Sequence, residues 1–324
     1  MALRKPPGKS VAGRVPPAPT ALRVPDQPQP SLAAQVAALL AAGVEVLRAN
    51  AAGALDARVR RDPEFVHEAR VAVRRMRAPL RIFERQLARV APAGDLRAVR
   101  RALRQLARAL GAARDWDVVQ STLLPLRREE LEQALGRVQM QRVARRAQLA
   151  RARANTALRR FLGGAEFARS LAQVEALAAA LAGGGAEGGT WPRSRNAQVA
   201  MLRALERQRL LVLRQGKRLA RLDADERHAL RIEGKRLRYA VELCAPLLAG
   251  GGIKPWLRPL RGLQDVLGKL NDARMLVELA GPLGEDRALV RVLAARAAEC
   301  ARDELPQAAA TFMAWQLAGV PWKR

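Results

Sequence analysis

Apolar residues recur along this chain at the spacing of an α-helix. Val73, Met76, Leu80, Phe83 and Leu87 fall on one side of a helix drawn at about 100° per residue. Elsewhere much of the 49% hydrophobic content is Ala and Leu, and extended runs of Val, Ile, Thr and Tyr are missing. This composition favours helices over strands. We therefore predict an all-α protein, and its 324 residues are enough to build a sizeable core.

Cap and breaker residues in the first half divide this pattern into helices. Ser31 is expected to cap an amphipathic helix of about residues 32–60. Asp62, followed by a proline and a glutamate, predicts the start of the next helix, and Pro79 is expected to kink it. A helix follows Pro92, and a short break at Gly111 then precedes a long helix that ends near residue 161.

Composition marks the boundaries between larger units. The first 30 residues are rich in proline and basic residues, which predicts a disordered arm. A glycine-rich stretch past the middle of the chain predicts a flexible linker. Beyond it we expect a helix of about residues 195–222 and then a helix capped by Asp223 or Asp225. The predicted division is a disordered basic arm 1–30, a first helical half 31–182, a Gly-rich linker 183–194 and a second helical half 195–324.

The polar side of the second predicted helix is a continuous row of basic residues. His67, Arg70, Arg74, Arg77 and Arg81 fall within about 80° of one another around the helix axis, and we call them the cationic ridge. Solvated helix faces usually alternate acids and bases, because like charges at i, i+4 cost roughly 0.2–0.5 kcal/mol per pair. The ridge contains no acid. This arrangement favours an anionic ligand over a solvated face.

The same pattern occurs a second time, which predicts an internal duplication. The two histidines of the chain can be aligned at an offset of 161 residues (228 − 67). In this alignment, four basic residues of the segment that begins at His228 match Arg70, Arg74, Arg75 and Arg77. These four residues are Arg231, Lys235, Arg236 and Arg238. A trailing segment that ends in Asp115 matches one that ends in Asp272. Two elements repeated in order predict two pseudo-symmetric bundles, with Glu242 interrupting the second row where the first has Arg81.

Charge points to a polyanionic partner. The chain carries a formal net charge of +28, and only seven of its 58 basic residues are lysine, so 51 are arginine. The guanidinium fork matches phosphate oxygens, which suits nucleic acid, an anionic membrane or inorganic polyphosphate. Coding bias could explain the abundance of arginine, but it does not explain the placement of arginines on one helix face.

The remaining chemistry argues against an enzyme. The two histidines could bind a metal, accept a phosphoryl group, donate hydrogen bonds to an anion or have no ligand role. Neither has another His or a Cys at ligand spacing, and no Gly-rich phosphate loop, paired carboxylates or nucleophile arrangement is evident. Cys244 and Cys300 are too few for a disulfide framework and fit a reducing cytoplasm. We also expect no stretch long enough for a membrane span and no signal peptide.

The two histidine segments carry a family resemblance. They are His67–Arg77 and His228–Tyr239, and they are supported by the trailing segments Leu110–Asp115 and Leu267–Asp272. At these motifs the chain resembles the CHAD family, α-helical domains named for their histidines. The resemblance covers about residues 32 to 318. Because both copies and both trailing segments are present, the match is specific.

This resemblance implies two pseudo-symmetric helical bundles around a basic groove or pore that binds inorganic polyphosphate, often on polyphosphate granules. Polyphosphate presents repeated oxyanions and no bases, so a lining of arginines without stacking aromatics suits it. We therefore predict a cytoplasmic, granule-associated binding protein that is not an enzyme and has no cofactor and no metal. The predicted polyphosphate-binding residues are His67, Arg70, Arg74, Arg75, Arg77, Arg81, Arg104, Arg108, Arg114, His228, Arg231, Lys235, Arg236, Arg238 and Arg261.

Two other functions stay open from the sequence. The first is sequence-independent binding of RNA or DNA, although proteins that bind single strands usually interleave aromatic residues for base stacking. With one Tyr, five Phe and five Trp, this chain has few to offer. The second is an enzyme that transfers or hydrolyses phosphate, which metal-dependent turnover would reveal.

Overall fold

The computed structural model describes residues 31–183, 195–248, 252–283 and 287–322. The described residues form twelve α-helices and no strand, so the predicted all-α class is confirmed. The predicted disordered arm and all of the predicted linker except Gly183, the last residue of α8, lie outside these ranges. The helices are α1 Leu32–Leu55, α2 Glu64–Ile82, α3 Glu84–Leu87, α4 Ala93–Val118, α5 Leu124–Leu126, α6 Arg128–Leu135, α7 Arg137–Leu162, α8 Ala165–Gly183, α9 Arg195–Gly216, α10 Ala224–Cys244, α11 Ile253–Leu283 and α12 Arg287–Leu317.

Helix packing joins the two predicted halves. In the first half, α1 packs against α2 and α8, and α4 packs against α2, α7 and α8. In the second half, α10 packs against α9 and α11, and α11 packs along α12. The helices α2 and α10, which carry the two histidine segments, also pack against each other. The two histidine helices therefore meet where the halves join, whereas the pseudo-symmetric duplication stays a prediction.

One apolar core runs through both halves. Buried side chains of α1, α2, α4 and α8 belong to the same cluster as those of α9, α10, α11 and α12. A smaller second cluster lies between α7, α11 and α12, near a π-helical turn at Val119–Leu123. Polar contacts also cross between the halves, such as the bond from Gln86 Nε2 to the carbonyl oxygen of Ala200 at 2.9 Å. The core therefore extends across the boundary that composition predicts.

Helix α1 is the most apolar helix of the fold. By length and composition it could cross a membrane, so the expectation that no stretch reaches that length is wrong. In this fold 56% of its most apolar 18-residue window is buried inside the protein. Its leucines and valines, apart from the exposed Leu55 at its end, pack into the core against α2 and α8.

The predicted helix starts are close to the observed ones. Ser31 caps α1, since its Oγ accepts a hydrogen bond from Ala34 N at 3.0 Å. Asp223 rather than Asp225 caps α10, and with Glu226 it forms a reciprocal capping box. At α2 the helix begins at Glu64, one residue later than an Asp62 cap implies, and Asp62 Oδ1 accepts from Glu64 N at 2.8 Å.

Helix ends are predicted less well. The break expected at Gly111 is wrong, because α4 continues through this glycine to Val118. The long helix to residue 161 is instead interrupted by the π-helical turn and by Gly136, whose φ of 79° ends α6. The first helix ends at Leu55 rather than near 60, and α9 ends at Gly216 rather than near 222.

Pro79 lies in the last turn of α2. Phe83 N still donates to Pro79 O at 2.9 Å, and the helix ends at Ile82 before the short helix α3 begins. Because the proline comes so late, it interrupts only the end of the helix. The preceding turns, which carry most of the cationic ridge, are regular.

Candidate functional site

A cavity of about 310 Å³ lies between α2, α4 and α10, and we call it the basic cavity. Nine arginine and lysine side chains line it, and none of its described lining residues is acidic. Its lining residues are Arg70, Arg74, Arg77, Ala78 and Arg81 of α2, Arg100, Arg104 and Ala107 of α4, and His228, Arg231, Ile232, Lys235, Arg236 and Tyr239 of α10.

Helical periodicity explains why these side chains converge. On α2, Val73, Met76 and Leu80 are fully buried in the core, so the opposite side of the helix faces the cavity. On α10, Leu237 and Val241 are likewise buried, and the basic residues of this helix face α2. The amphipathic pattern of each helix therefore turns its basic side towards the other.

Burial and mutual repulsion perturb the deepest basic groups. Burial, followed by neighbouring arginines, lowers the pKa of Arg77 below its ordinary value. Burial also lowers the pKa of Arg74 and of Arg231, although Tyr239 partly offsets the effect at Arg74 and Asp272 at Arg231. The Nε atoms of Arg74 and Arg231 are buried and have no hydrogen-bond partner among the described residues. Buried donors without an acceptor are costly, so an anion in the cavity would be stabilised there.

Lys235 is the most strongly perturbed of these groups. Burial, together with the charges of Arg231 and Arg74, lowers its pKa from 10.5 to about 6. The lysine is therefore mostly neutral at pH 7 while the cavity is empty. An anion beside it would favour the charged form, so the charge of this side chain depends on the ligand.

In each half one arginine of a histidine helix lies beside a glycine and interacts with an aspartate. Arg70 Nη1 lies 2.9 Å from Asp115 Oδ1 and donates to the carbonyl oxygen of Gly111 at 3.3 Å. In the second half, Arg231 lies beside Gly268, and its charge interacts with Asp272. Both aspartates are thus charge partners of arginines inside continuous helices rather than helix caps. At both positions the guanidinium lies close to the glycine, since an added Cβ would stand 3.5 Å from Arg70 Nη1 at Gly111 and 3.9 Å from Arg231 Nη2 at Gly268.

The two histidines occupy different environments. His228 lines the basic cavity, and its Nδ1 donates to Asn271 Oδ1. His67 does not line it, and burial followed by the charge of Arg114 lowers the pKa of its imidazole. The ligand atoms of His67, Glu64 and Glu68 lie within 4.8 Å of one another. We predicted no metal site because neither histidine has another His or a Cys at ligand spacing and because cationic neighbours repel a metal, but these carboxylates could hold a metal ion with His67.

Three more predicted site residues surround Glu242 instead of lining the cavity. Arg261 Nη2 lies 2.9 Å from Glu242 Oε1, while Arg238 Nε and Arg75 Nη2 lie 3.8 and 4.0 Å from its oxygens. The Glu242 side chain is only 16% exposed. Glu242 therefore forms ion pairs with arginines of α2, α10 and α11, whereas in the sequence it only interrupts a basic row. We call these four residues the Glu242 cluster.

Besides three apolar residues, the structure adds Arg100 and Tyr239 to the cavity lining, and it leaves Arg108 and Arg114 outside, in addition to His67 and the three arginines of the Glu242 cluster. Arg100 lines it and forms an ion pair with Glu84; it lies four residues before Arg104 on the same helix face, and this spacing is the signal that could have found it. Tyr239 also lines it, although it has no counterpart in the first half. Arg108 and Arg114 do not line it.

Comparisons with known proteins agree with this architecture. A crystal structure of the CHAD domain from the plant Ricinus communis is 24% identical, with 94% of each chain covered and a TM-score of 0.65. No curated protein sequence matches the chain. The sequence model of the CHAD domain matches residues 38–281, most of the chain and both histidine helices. The chain therefore belongs to the CHAD domain family.

Proposed function

We propose that this protein binds inorganic polyphosphate in the basic cavity. The family is associated with polyphosphate in general, which makes this ligand the first to consider. The observation that carries the proposal is the convergence of nine basic side chains on a cavity whose described lining contains no acid. Such a concentration of like charge is stabilised by a ligand that supplies several negative charges at close spacing.

The basic residues divide into deep and peripheral groups. Arg74, Arg231 and Lys235 are half-buried and bind phosphate oxygens directly, and the buried Nε atoms of Arg74 and Arg231 have no hydrogen-bond partner among the described residues. Arg81 and Arg104 are exposed and bind phosphates at the rim. A chain of phosphates can satisfy both groups at once, whereas a single phosphate reaches only a few of these donors.

Nucleic-acid binding is the alternative that the sequence left open, and the surroundings of Tyr239 weigh against it. Tyr239 is the single aromatic residue of the described cavity lining, and it is only 6% exposed. The guanidinium of Arg238 lies 4.8 Å from the ring centroid and that of Arg75 lies 5.5 Å away. With arginines against its ring, this tyrosine offers no platform for stacking a base.

We further propose a binding role without catalysis and an association with cytoplasmic polyphosphate granules. The first proposal is supported by the family, which is not known as an enzyme family. The second follows from the resemblance, and the high net charge of +28 would reinforce attachment to a polyanionic granule.

A competition titration tests the proposal. The full-length protein is titrated with long-chain polyphosphate and with single-stranded RNA over a salt series, because phosphate contacts weaken as salt rises. We expect polyphosphate to bind more tightly per phosphate at near-physiological salt. Equal affinity per phosphate would favour the nucleic-acid alternative and refute a cavity specific for polyphosphate.

Charge-reversal variants test whether polyphosphate binds in the basic cavity. Arg74→Glu with Lys235→Glu should weaken polyphosphate binding by about a hundredfold or more, since each charge-assisted contact contributes about 1.5–3 kcal/mol. The control is Arg142→Glu with Arg145→Glu, which changes the formal net charge equally at two exposed positions of α7 outside the cavity. Circular dichroism checks that both variants stay helical. If the two double variants bind alike, the site assignment is wrong.

A further inference from the structure

Lys235 differs from the other lysines of the described chain in its surroundings. Lys217, Lys254 and Lys269 are exposed, and Lys269 forms an ion pair with Glu304 at 2.7 Å. Lys235 lies in the basic cavity and has no ion pair with a described carboxylate. It is therefore the one described lysine whose amine sits inside a site suited to phosphate groups.

The groups that face Lys235 come from its own helix and from α2. Arg231 and Arg238 on α10 and Arg70 and Arg74 on α2 all act on its charge in the same direction. Each of these four arginines disfavours the ammonium form. The neutral amine is the nucleophilic form, and lysines beside other cations are a known route to reactive amines.

Asp272 of α11 is the acid that interacts with Lys235, but it does not restore the charge of this lysine. Asp272 interacts electrostatically with Lys235, but it interacts more strongly with Arg231. Burial lowers the pKa of the lysine to about 6, so that roughly nine tenths of the amine is neutral at pH 7. For Lys269, by contrast, the bond with Glu304 raises the pKa above its ordinary value.

We propose that the basic cavity binds acyl phosphates and that Lys235 Nζ is acylated by them. The arginines hold the phosphate group, as they would hold one unit of polyphosphate, and the acyl carbon is then presented to the amine within the same cavity. The inference rests on the proposed function, because both require the cavity to bind phosphate.

The reaction is balanced without any further reactant. The Lys235 nitrogen attacks the carbonyl carbon and forms the C–N bond of an amide. The bond between this carbon and the phosphate oxygen breaks, and inorganic phosphate leaves with the electron pair. The proton lost by the nitrogen is taken up by the leaving phosphate. Donors from Arg74 and Arg231 stabilise the charge that develops on the departing group.

Binding of the phosphate favours the ammonium form and so opposes the reaction, but it does not prevent it. If the bound anion raises the pKa of Lys235 by about two units, the neutral fraction still exceeds that of an ordinary lysine about two hundredfold. The free amine is also a weaker nucleophile at lower basicity, which removes part of this advantage. We therefore expect Lys235 to react about tenfold faster than Lys269.

Acylation would regulate the proposed function. The amide cannot be protonated, so the cavity loses the charge that Lys235 gains on binding an anion, and the acyl group occupies space between the arginines. We expect the acylated protein to bind polyphosphate about tenfold more weakly. An acyl phosphate would thus act as a covalent antagonist of polyphosphate at one site.

The test compares two acetyl donors on the full-length protein at pH 7.5. Acetyl phosphate carries the phosphate group, and 4-nitrophenyl acetate carries the same acetyl group without it. Peptide mass spectrometry follows acetylation of Lys235 and of Lys269 over time. We expect a rate ratio of about ten or more for acetyl phosphate, a several-fold smaller ratio for the ester, and suppression of Lys235 acetylation by long-chain polyphosphate.

The outcomes separate this inference from the proposed function. A ratio near one with acetyl phosphate, or equal ratios for both donors, overturns the inference even if the untreated protein binds polyphosphate. Failure of the untreated protein to bind polyphosphate overturns the proposed function, whatever the ratio. Treatment should weaken polyphosphate binding by wild-type protein and by Lys269→Arg. It should not change the affinity of Lys235→Arg relative to its own untreated sample.

Discussion

The affinity of the protein for polyphosphate should fall as pH rises, and Lys235 is the reason. In the empty cavity burial holds the pKa of this lysine at about 6, and a bound anion raises it. The complex then takes up a proton that the free protein lacks. Affinity is therefore highest below pH 6 and is lost progressively as pH rises above it.

The size of the effect follows from the two pKa values. If binding restores the pKa of Lys235 from about 6 to about 10, the Kd rises about 50-fold between pH 6 and pH 8, or about 2.3 kcal/mol. If binding restores it only to about 8, the rise is still about 25-fold. The expected change is thus large for any substantial coupling between the anion and this side chain.

The assay is a series of titrations from pH 5 to pH 8 at constant ionic strength, read by the anisotropy of end-labelled long-chain polyphosphate. Long chains are used because only the terminal phosphates titrate in this range. Lys235→Arg is measured in parallel, since arginine keeps its charge throughout. The other charged or titratable groups near Lys235 are common to both proteins and cancel in the comparison: Arg70, Arg74, Arg231, Arg238, His228 and Asp272.

Comparing the two proteins can refute the prediction in two ways. Wild-type protein should lose affinity above pH 6, while Lys235→Arg should vary little between pH 6.5 and pH 8. Parallel curves for the two proteins would refute the assignment of the titrating group. A wild-type Kd that stays constant over the whole series would refute the coupling of Lys235 to the anion.

Three further predictions concern stability in the absence of ligand. Lys235→Met should raise the free energy of unfolding at pH 7 by a few kcal/mol, as measured by urea titration. Lys235 is protonated in the unfolded chain but mostly neutral in the cavity, so its protonation favours unfolding, and methionine removes this effect. Glu242→Gln should lower it by about 1–3 kcal/mol, since three arginines lose a shared partner; an unchanged urea midpoint would count against the Glu242 cluster. Gly216→Ala should lower the free energy of unfolding by about 1–3 kcal/mol because its Cβ would lie 2.2 Å from the Phe312 ring, whereas Gly94→Ala, with nothing within 4 Å, should have almost no cost in the same urea titrations.

The sequence predicts the cavity wall better than its surroundings, for a physical reason. Periodicity places Arg70, Arg74, Arg77 and Arg81 on one face of a helix, and burial of the opposite face then determines where they point. The cap at Ser31 is similarly local, since its hydrogen bond joins residues three positions apart. Features decided within one helix are therefore predictable from one stretch of sequence.

Features that depend on contacts between helices are not predictable in this way. Gly111 resembles a helix break, but α4 continues through it, and its carbonyl oxygen accepts a hydrogen bond from Arg70 of α2 at 3.3 Å. In the sequence Glu242 only interrupts a basic row, whereas in the structure it forms ion pairs with Arg75 of α2 and Arg261 of α11. His67 belongs to the predicted row, yet it lies outside the cavity. For Gly111 and Glu242 the contact that decides the outcome comes from a residue distant in sequence.

The apolar core that crosses both halves has a consequence for the history of the protein. Because buried side chains of α1, α2 and α4 belong to the same cluster as those of α9 and α10, neither half retains a closed interior when the other is removed. If the predicted duplication took place, a single ancestral half would have needed a second copy of itself to cover this surface. Each half now serves as the permanent folding partner of the other, so interior substitutions on one side should be tolerated only with compensating changes on the other.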